Sequence, residues 1–386
     1  MPVSDVPVYT AHPHFSEEEA SLSAATVDEI CRALSTEAAD SPGVVVVKNV
    51  FPPGWVRDTL GPWITGYYAS HQTDSPKKDH FSSGNKRIWR LPEKLPAEIL
   101  LRLFDEKSAL CRILDQFLGR FHIGSLAVNT VLPNGKPQKM HTDYPPGFYE
   151  PVEMQDLFSS HHLEKILPFF SLQVGIAVTA VTKENGGTQF VCGSHRGKGV
   201  DHQLAEYSND SIDASKNSSS TKSPPFLEEA VTTCPELEPG DCLFFNRKLA
   251  HRGGGNETAQ DRTVVLLQAI MPFGVKMEVV DSDLVIDKLK KHFDEEQRDL
   301  AGKSTITAAQ EGAVAHVELE KTRTVVGVKD HVVADDSIGT STRTAGDDGT
   351  TRTILTEEEK RRLYYRFSGP TFPRDLDVAA ASEKNA

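Results

Sequence analysis

The chain has 386 residues, of which 38% are hydrophobic and 25% charged, and its formal net charge is −13. That length and composition fit a globular protein with a large core. The acidic balance excludes nucleic acid as a partner, since phosphate binding needs a basic face, and no apolar run is long enough to span a bilayer. The five cysteines, Cys31, Cys111, Cys192, Cys234 and Cys242, are odd in number and contain no C-x-x-C pair. They read as reduced thiols of an intracellular, cytoplasmic protein. The opening "MPVSDVPVYTAHPHFSEEEA" carries no export signal. The sequence leaves the oligomeric state open.

Thr26 and Glu29 form a T-x-x-E pattern, and Val27, Ile30, Cys31 and Leu34 follow at helical spacing, which predicts a capped first helix. "SPG" ends it, and "VVVVKNV" predicts a buried strand. "FPPGWVRDTLGPWITGYY" predicts a second helix, interrupted or restarted near Pro62. "LPAEILLRLFDEKSALCRILDQFLG" predicts one long third helix, with Pro96 in its first turn and Gly119 at its end.

From about residue 122 the pattern changes to strands. "GSLAVNTVL", "SLQVGIAVTAV", "TQFVCGS", "GDCLFF" and "RTVVLLQAIMPF" are short apolar runs separated by turn signals such as "PNGKP" and "ENGG". A β-sandwich or barrel buttressed by N-terminal helices follows, an α+β layout. We expect a single catalytic domain over 1–386. It comprises a helical buttress (1–120), a β core (121–275) with a Ser-rich loop at 206–225, and C-terminal helices (276–386) with a flexible segment at 303–353.

Two residues in "KMHTDYPPG" carry metal-binding chemistry. On a strand, His141 and Asp143 point to the same face, so an imidazole nitrogen and a carboxylate oxygen can reach one ion. His162 and Glu164 have the same spacing but sit in a helical pattern, where such residues diverge. His316 and Glu318 have no third ligand in view. The third ligand for His141 and Asp143 is His251 in "AHRGGGNETAQDR", where three glycines let a ligand approach closely. If the chain reverses after these glycines, Arg262 returns to the same pocket and can clasp a carboxylate bidentately. Two histidines and a carboxylate on one face leave coordination positions open, the pattern of non-haem Fe(II) oxygenases.

The order "HTD … ENGGTQFVCGSHR … EPGD … H … R" over residues 40 to 275 resembles the phytanoyl-CoA dioxygenase-like family of Fe(II)/2-oxoglutarate oxygenases. The resemblance implies a double-stranded β-helix, or jelly roll, flanked by helices. It implies that His141, Asp143 and His251 bind iron, and that Arg262 anchors the distal carboxylate of 2-oxoglutarate. It places Gln138 and Thr188 where relatives contact this co-substrate, with Asn129 on a strand lining the pocket. His195 of "CGSHR" matches a loop-shaping histidine and not a ligand, although Cys192 stands where the family has proline. The implied activity uses O₂, with ascorbate stimulating, to oxidise an unactivated C–H bond of a small molecule. Hydroxylation, desaturation and cyclisation all remain open. No acyl-CoA site is evident, which favours specialised metabolism. A carboxylate-bearing, amino-acid-derived substrate, as in the kainoid synthases that share the pattern, fits a basic cluster containing Arg87, Trp89, Arg90, Arg247 and Lys248. Tyr144 and Arg196 are further candidates for contact with substrate. Two rival readings stand beside this one. A non-catalytic binding module would not need the ligands. A His₂-carboxylate zinc hydrolase would need a general base and would leave Arg262 unexplained.

Overall fold

The four valines of Val44–Lys48 are all buried, two against each face of a sheet covered on both sides. A strand covered in this way shows no polar alternation, hence the continuous apolar run. The computed structural model describes residues 6–11, 22–36, 38–71, 84–143, 171–196, 232–271, 278, 280–298, 343–345, 351–353 and 355–368. The chain divides into two compact units, one of residues 1–280 with 369–386 and one of 281–368.

The first unit holds a seven-stranded sheet. Its strands are β1 (Val8–Thr10), β2 (Val44–Lys48), β3 (Asn85–Ile88), β4 (His122–Val131), β5 (Ser171–Ala177), β7 (Cys242–Asn246) and β9 (Arg262–Ile270), in the order β1-β2-β7-β5-β9-β4-β3. Only the β1–β2 pair is parallel. A small second sheet pairs β6 (Thr188–Phe190) with β8 (His251–Gly253) and is extended by bridges His141–His251 and Phe190–Thr233. Together they make a double-stranded β-helix whose crossovers run between distant segments. Along β9, Arg262, Val264 and Leu266 line a cavity, whereas Val265, Leu267 and Ala269 are buried on the opposite face. Helices α1 (Ala24–Leu34), α4 (Leu91–Lys94) and α6 (Ala109–Leu118) pack against β2, β7, β4 and β5.

Three local expectations are corrected. The first helix is capped by Ser23, whose Oγ accepts the Thr26 N–H at 3.1 Å; Thr26 already lies in the first turn, so the T-x-x-E box does not form. The segment 96–119 is two helices, α5 (Ala97–Leu103) and α6, rather than one. Asp105 accepts the Lys107 N–H through its side chain and the Ser108 N–H through its carbonyl, both at 2.9 Å, and Ser108 then caps α6 through the Cys111 N–H. Short polar side chains that bond to the nearby backbone compete with the helix ladder, and here they win. His141 and Asp143 sit on a bridge and a bend rather than in a regular strand.

The interruption near Pro62 has a definite form. The rod from α2 (Pro53–Trp55) to α3 (Gly61–Ser70) contains a π-turn, Val56–Leu60, closed by the Gly61 N–H on the Val56 carbonyl. Pro62 has no N–H for the usual bond and crowds the carbonyl four residues back; the wider turn accommodates both effects.

In the second unit, α7 (282–298) buries Val285, Ile286, Leu289 and Phe293, and α8 (Glu357–Ser368) buries Leu363, Tyr364 and Phe367. The Phe293 and Tyr364 rings lie 6.3 Å apart, and the Lys360 ammonium sits 5.1 Å from the Phe293 ring. Strands β10 (Arg343–Ala345) and β11 (Thr351–Thr353) pair antiparallel. The rest of 303–353, the Ser-rich loop 206–225, and the pairs His162/Glu164 and His316/Glu318 lie outside the described residues. Among the described residues no disulfide joins the five cysteines, and no helix is long and apolar enough to cross a membrane.

Candidate metal centre

His141 and His251 are joined by two backbone hydrogen bonds, 2.9 and 2.8 Å, which set their rings 4.6 Å apart. Asp143 lies between them. Its Oδ1 is 3.6 Å from His141 Nε2 and its Oδ2 is 3.6 Å from His251 Nε2. The three side chains offer ligand atoms within 4.8 Å of one another, the one such grouping among the described residues.

The ring tautomers suit a metal. Each Nδ1 is 2.8 Å from a main-chain carbonyl two residues back, that of Lys139 for His141 and that of Leu249 for His251. A carbonyl only accepts, so each Nδ1 carries a proton and each Nε2 is the nitrogen turned toward Asp143 and a metal. Burial pushes the His251 pKa down to about 4, against the pull of Asp143, so the ring is neutral near pH 7. Burial alone would raise the Asp143 pKa, but His251, His141, Arg247 and Arg87 outweigh it and the carboxyl stays below its usual range. Phe245, with its ring 4.8 Å from His251, packs the imidazole in place. Two imidazole nitrogens and a carboxylate form the donor set that a divalent iron takes.

The ligands open on a cavity of about 130 Å³. Arg262, at the start of β9, lies in its wall and is 3% exposed. Its Nη2 donates to the Gly186 carbonyl at 2.5 Å, while its buried Nε has no hydrogen-bond partner. Burial lowers its pKa to about 10, which still leaves it charged. A buried, charged guanidinium in a cavity wall, with one N–H left without a partner, fits a carboxylate.

Gln138, Thr188 and Asn129 also lie in the cavity wall. Gln138 is locked to β8, accepting the Gly253 N–H at 2.7 Å and donating its own N–H to the Gly253 carbonyl at 2.9 Å. A Cβ on Gly253 would stand 2.8 Å from the Gln138 Oε1, which accounts for the first glycine of "GGG". Asn129 accepts from the Asn85 side chain at 3.3 Å.

The basic candidates separate. Arg87 and Trp89 line the cavity, but Arg90 points to the surface and pairs with Glu93 at 2.7 Å. β3 ends at Ile88, and Arg90 stands beyond it in a left-handed conformation at the start of α4, where it pairs with Glu93 instead of facing the cavity. Arg247 is buried outside the cavity wall. Arg196 lies over Gly193, also outside that wall. Tyr144 is outside the described residues. His195 is not part of the ligand group: its Nε2 meets the Ser35 carbonyl at 3.1 Å and Ser41 Oγ at 3.3 Å. It packs on Gly43, whose φ of +78° and lack of room (2.4 Å from a Cβ to His195 Nδ1) require glycine. Sequence reasoning missed Ser125 and Gln173 in the cavity wall. The available signal was a glutamine in step with Gly175 and Ala177 along an otherwise apolar strand.

A double-stranded β-helix carrying this His-x-Asp…His group, with an arginine in the same cavity, defines the Fe(II)/2-oxoglutarate oxygenase class of site. The chain belongs to the phytanoyl-CoA dioxygenase (PhyH) family, which it matches over residues 39–264. It is similar to the dioxygenase FrzG of Cladobotryum sp, 30% identical over 116 residues, covering 28% of this chain and 33% of that protein. It is also similar to the dioxygenase lolE1 of Epichloe uncinata, 33% identical over 134 residues, covering 35% of this chain and 40% of that protein. The chain thus spans about a third to two fifths of the length of these relatives. Among solved structures it is similar to the non-heme alpha ketoglutarate dependent epimerase SnoN from nogalamycin biosynthesis. That match has TM-score 0.44 and 16% identity, over 65% of this chain and 85% of that one. A second is EctD from S. alaskensis with bound Fe, with TM-score 0.43 and 17% identity, over 68% of this chain and 81% of that one.

Proposed function

We propose that this chain is an Fe(II)/2-oxoglutarate-dependent oxygenase of specialised metabolism. Its reaction oxidises an unactivated C–H bond of a small metabolite, by hydroxylation, desaturation or oxidative cyclisation. The observation that carries this reading is the pairing of a ready ligand set with a buried, partly idle arginine in one cavity. Iron bound with 2-oxoglutarate and O₂ would supply the oxidant, with succinate and CO₂ as co-products.

The protein's own residues then have defined tasks. His141, Asp143 and His251 hold the ion, and the Lys139 and Leu249 carbonyls keep both imidazoles in the ligating tautomer. Arg262 takes the distal carboxylate of 2-oxoglutarate, with Gln138, Thr188 and Asn129 beside it. The apolar cluster of Val44, Val46, Leu243, Phe245 and Val264 excludes water from that side and strengthens charge pairing within it. A carboxylate-bearing, amino-acid-derived substrate is supported by Arg87 in the cavity wall, with its guanidinium 4.9 Å from the ring of Trp89. A zinc hydrolase finds less support, because Asp143 is the one acid in the cavity wall among the described residues.

The test is an anaerobic titration with Fe(II) and then 2-oxoglutarate, followed by air and ascorbate. The expected result is a visible charge-transfer band and slow succinate release. Tight native zinc without the band would favour the hydrolase. Binding of neither iron nor 2-oxoglutarate would favour the binding module.

A further inference from the structure

We propose that Arg247 is a positioning residue of the metal centre, a brace that fixes the main chain of Asp143 and so aims its carboxylate. The inference rests on the oxygenase reading for the identity of the metal. Arg247 follows β7 directly, is 2% exposed and does not line the cavity. Its carbonyl accepts the Asp143 N–H at 3.1 Å, and its Nη2 donates back to the Asp143 carbonyl. Its Nη1 donates to Ser171 Oγ at 3.4 Å, at the start of β5. One residue therefore holds both polar groups of the ligand's backbone and ties them to the large sheet.

The register shows why a brace is needed. His141 pairs with His251, so a regular antiparallel ladder would set Asp143 opposite Leu249. Asp143 meets Arg247 instead, leaving two extra residues on the His251 side. They form a turn in which the Lys248 N–H meets Asn246 Oδ1 at 3.0 Å and the Leu249 N–H meets the Asn246 carbonyl at 2.9 Å. That turn directs the Leu249 carbonyl onto His251 Nδ1. The detour that orients one ligand breaks the ladder that would have held another, and Arg247 closes the gap.

A brace and a bare charge have opposite signs. A buried cation beside a dication repels it, so if charge were its main effect, removing Arg247 would tighten metal binding. If it is a brace, removal loosens the metal. The test uses the full chain, with anaerobic Fe(II) calorimetry and Mn(II) titration followed by electron paramagnetic resonance. Arg247→Met is expected to weaken both ions by roughly 10–100-fold, as loss of a ligand-orienting partner does. Arg247→Lys, which keeps the charge but cannot fork to two acceptors, is expected to fall between Met and wild type. The 2-oxoglutarate KM at saturating iron is expected to stay unchanged. Equal or tighter metal binding in the folded variants would overturn the proposal. So would intact metal binding with a change confined to substrate KM. Should the Met variant not fold, the Lys variant decides alone. A wild-type chain that binds neither ion would overturn the oxygenase reading as well, so the two failures are distinguishable.

Discussion

The seven-stranded sheet and the small sheet line the same cavity but are held together in different ways. In the large sheet, β4 and β9 pair over most of their length, and almost every side chain is buried. Register there is set by packing, because a slip of one residue would turn every apolar side chain to the wrong face. The small sheet consists of three-residue strands and single bridges. Its ligands are aimed by individual hydrogen bonds, those of Lys139, Leu249, Gln138 and Arg247. Packing is thus concentrated in one sheet and metal geometry in the other, with Arg262 on β9 bringing the large sheet into the wall of the same cavity.

Substitutions in the two regions should therefore have different signatures. The largest effect is expected from His141→Ala, Asp143→Ala or His251→Ala. Each should lose stoichiometric iron and 2-oxoglutarate-dependent succinate release while keeping the circular dichroism of the wild type. Retention of full iron by any of them would show the ligand set to be wrong. Arg262→Ala should raise the 2-oxoglutarate KM by roughly 30-fold or more, the loss of about 2–5 kcal/mol seen when one partner of a buried charge pair is truncated. Iron affinity without co-substrate should not change, and an unaltered KM would remove Arg262 from its assigned role. Leu267→Ala, on the far face of β9, should cost about 2–5 kcal/mol of unfolding free energy and leave iron affinity per folded molecule intact. If iron affinity fell in step with stability, the two sheets would not be separable.

The smallest effect concerns acid. Burial lowers the His195 pKa to about 4, against the bond to the Ser35 carbonyl, which raises it. The unfolded chain therefore binds this proton first as pH falls. The contribution of His195 is fully present above about pH 6.5 and declines toward pH 4, by about 1.4 kcal/mol per unit. His195→Gln should flatten that part of a urea-denaturation profile against pH, whereas an unchanged slope would assign it to other groups.

Much of this contrast was legible beforehand. "VVVVKNV" announced a buried strand and "RTVVLLQAI" an apolar one, and "HTD" with the distant "AHRGGG" announced the ligands. The long helix at 96–119 misled because its apolar spacing continues across Asp105 and Ser108, whose side chains bond to the backbone and end the helix. Arg90 misled because β3 ends before it, and a left-handed turn at the start of α4 takes it out to Glu93 while Arg87 stays in the cavity wall.

The sequence by itself determined the residue types of the site, their order and the α+β layout, because periodicity and ligand chemistry are local properties of a chain. The tertiary structure alone decided that Arg87 and not Arg90 reaches the cavity, that Gln173 lies in its wall, and that Arg247 holds Asp143. Those outcomes depend on the registers between segments tens to more than a hundred residues apart. Such registers are set by packing across the sheets and by a two-residue detour before His251, and neither is written in any short stretch of sequence.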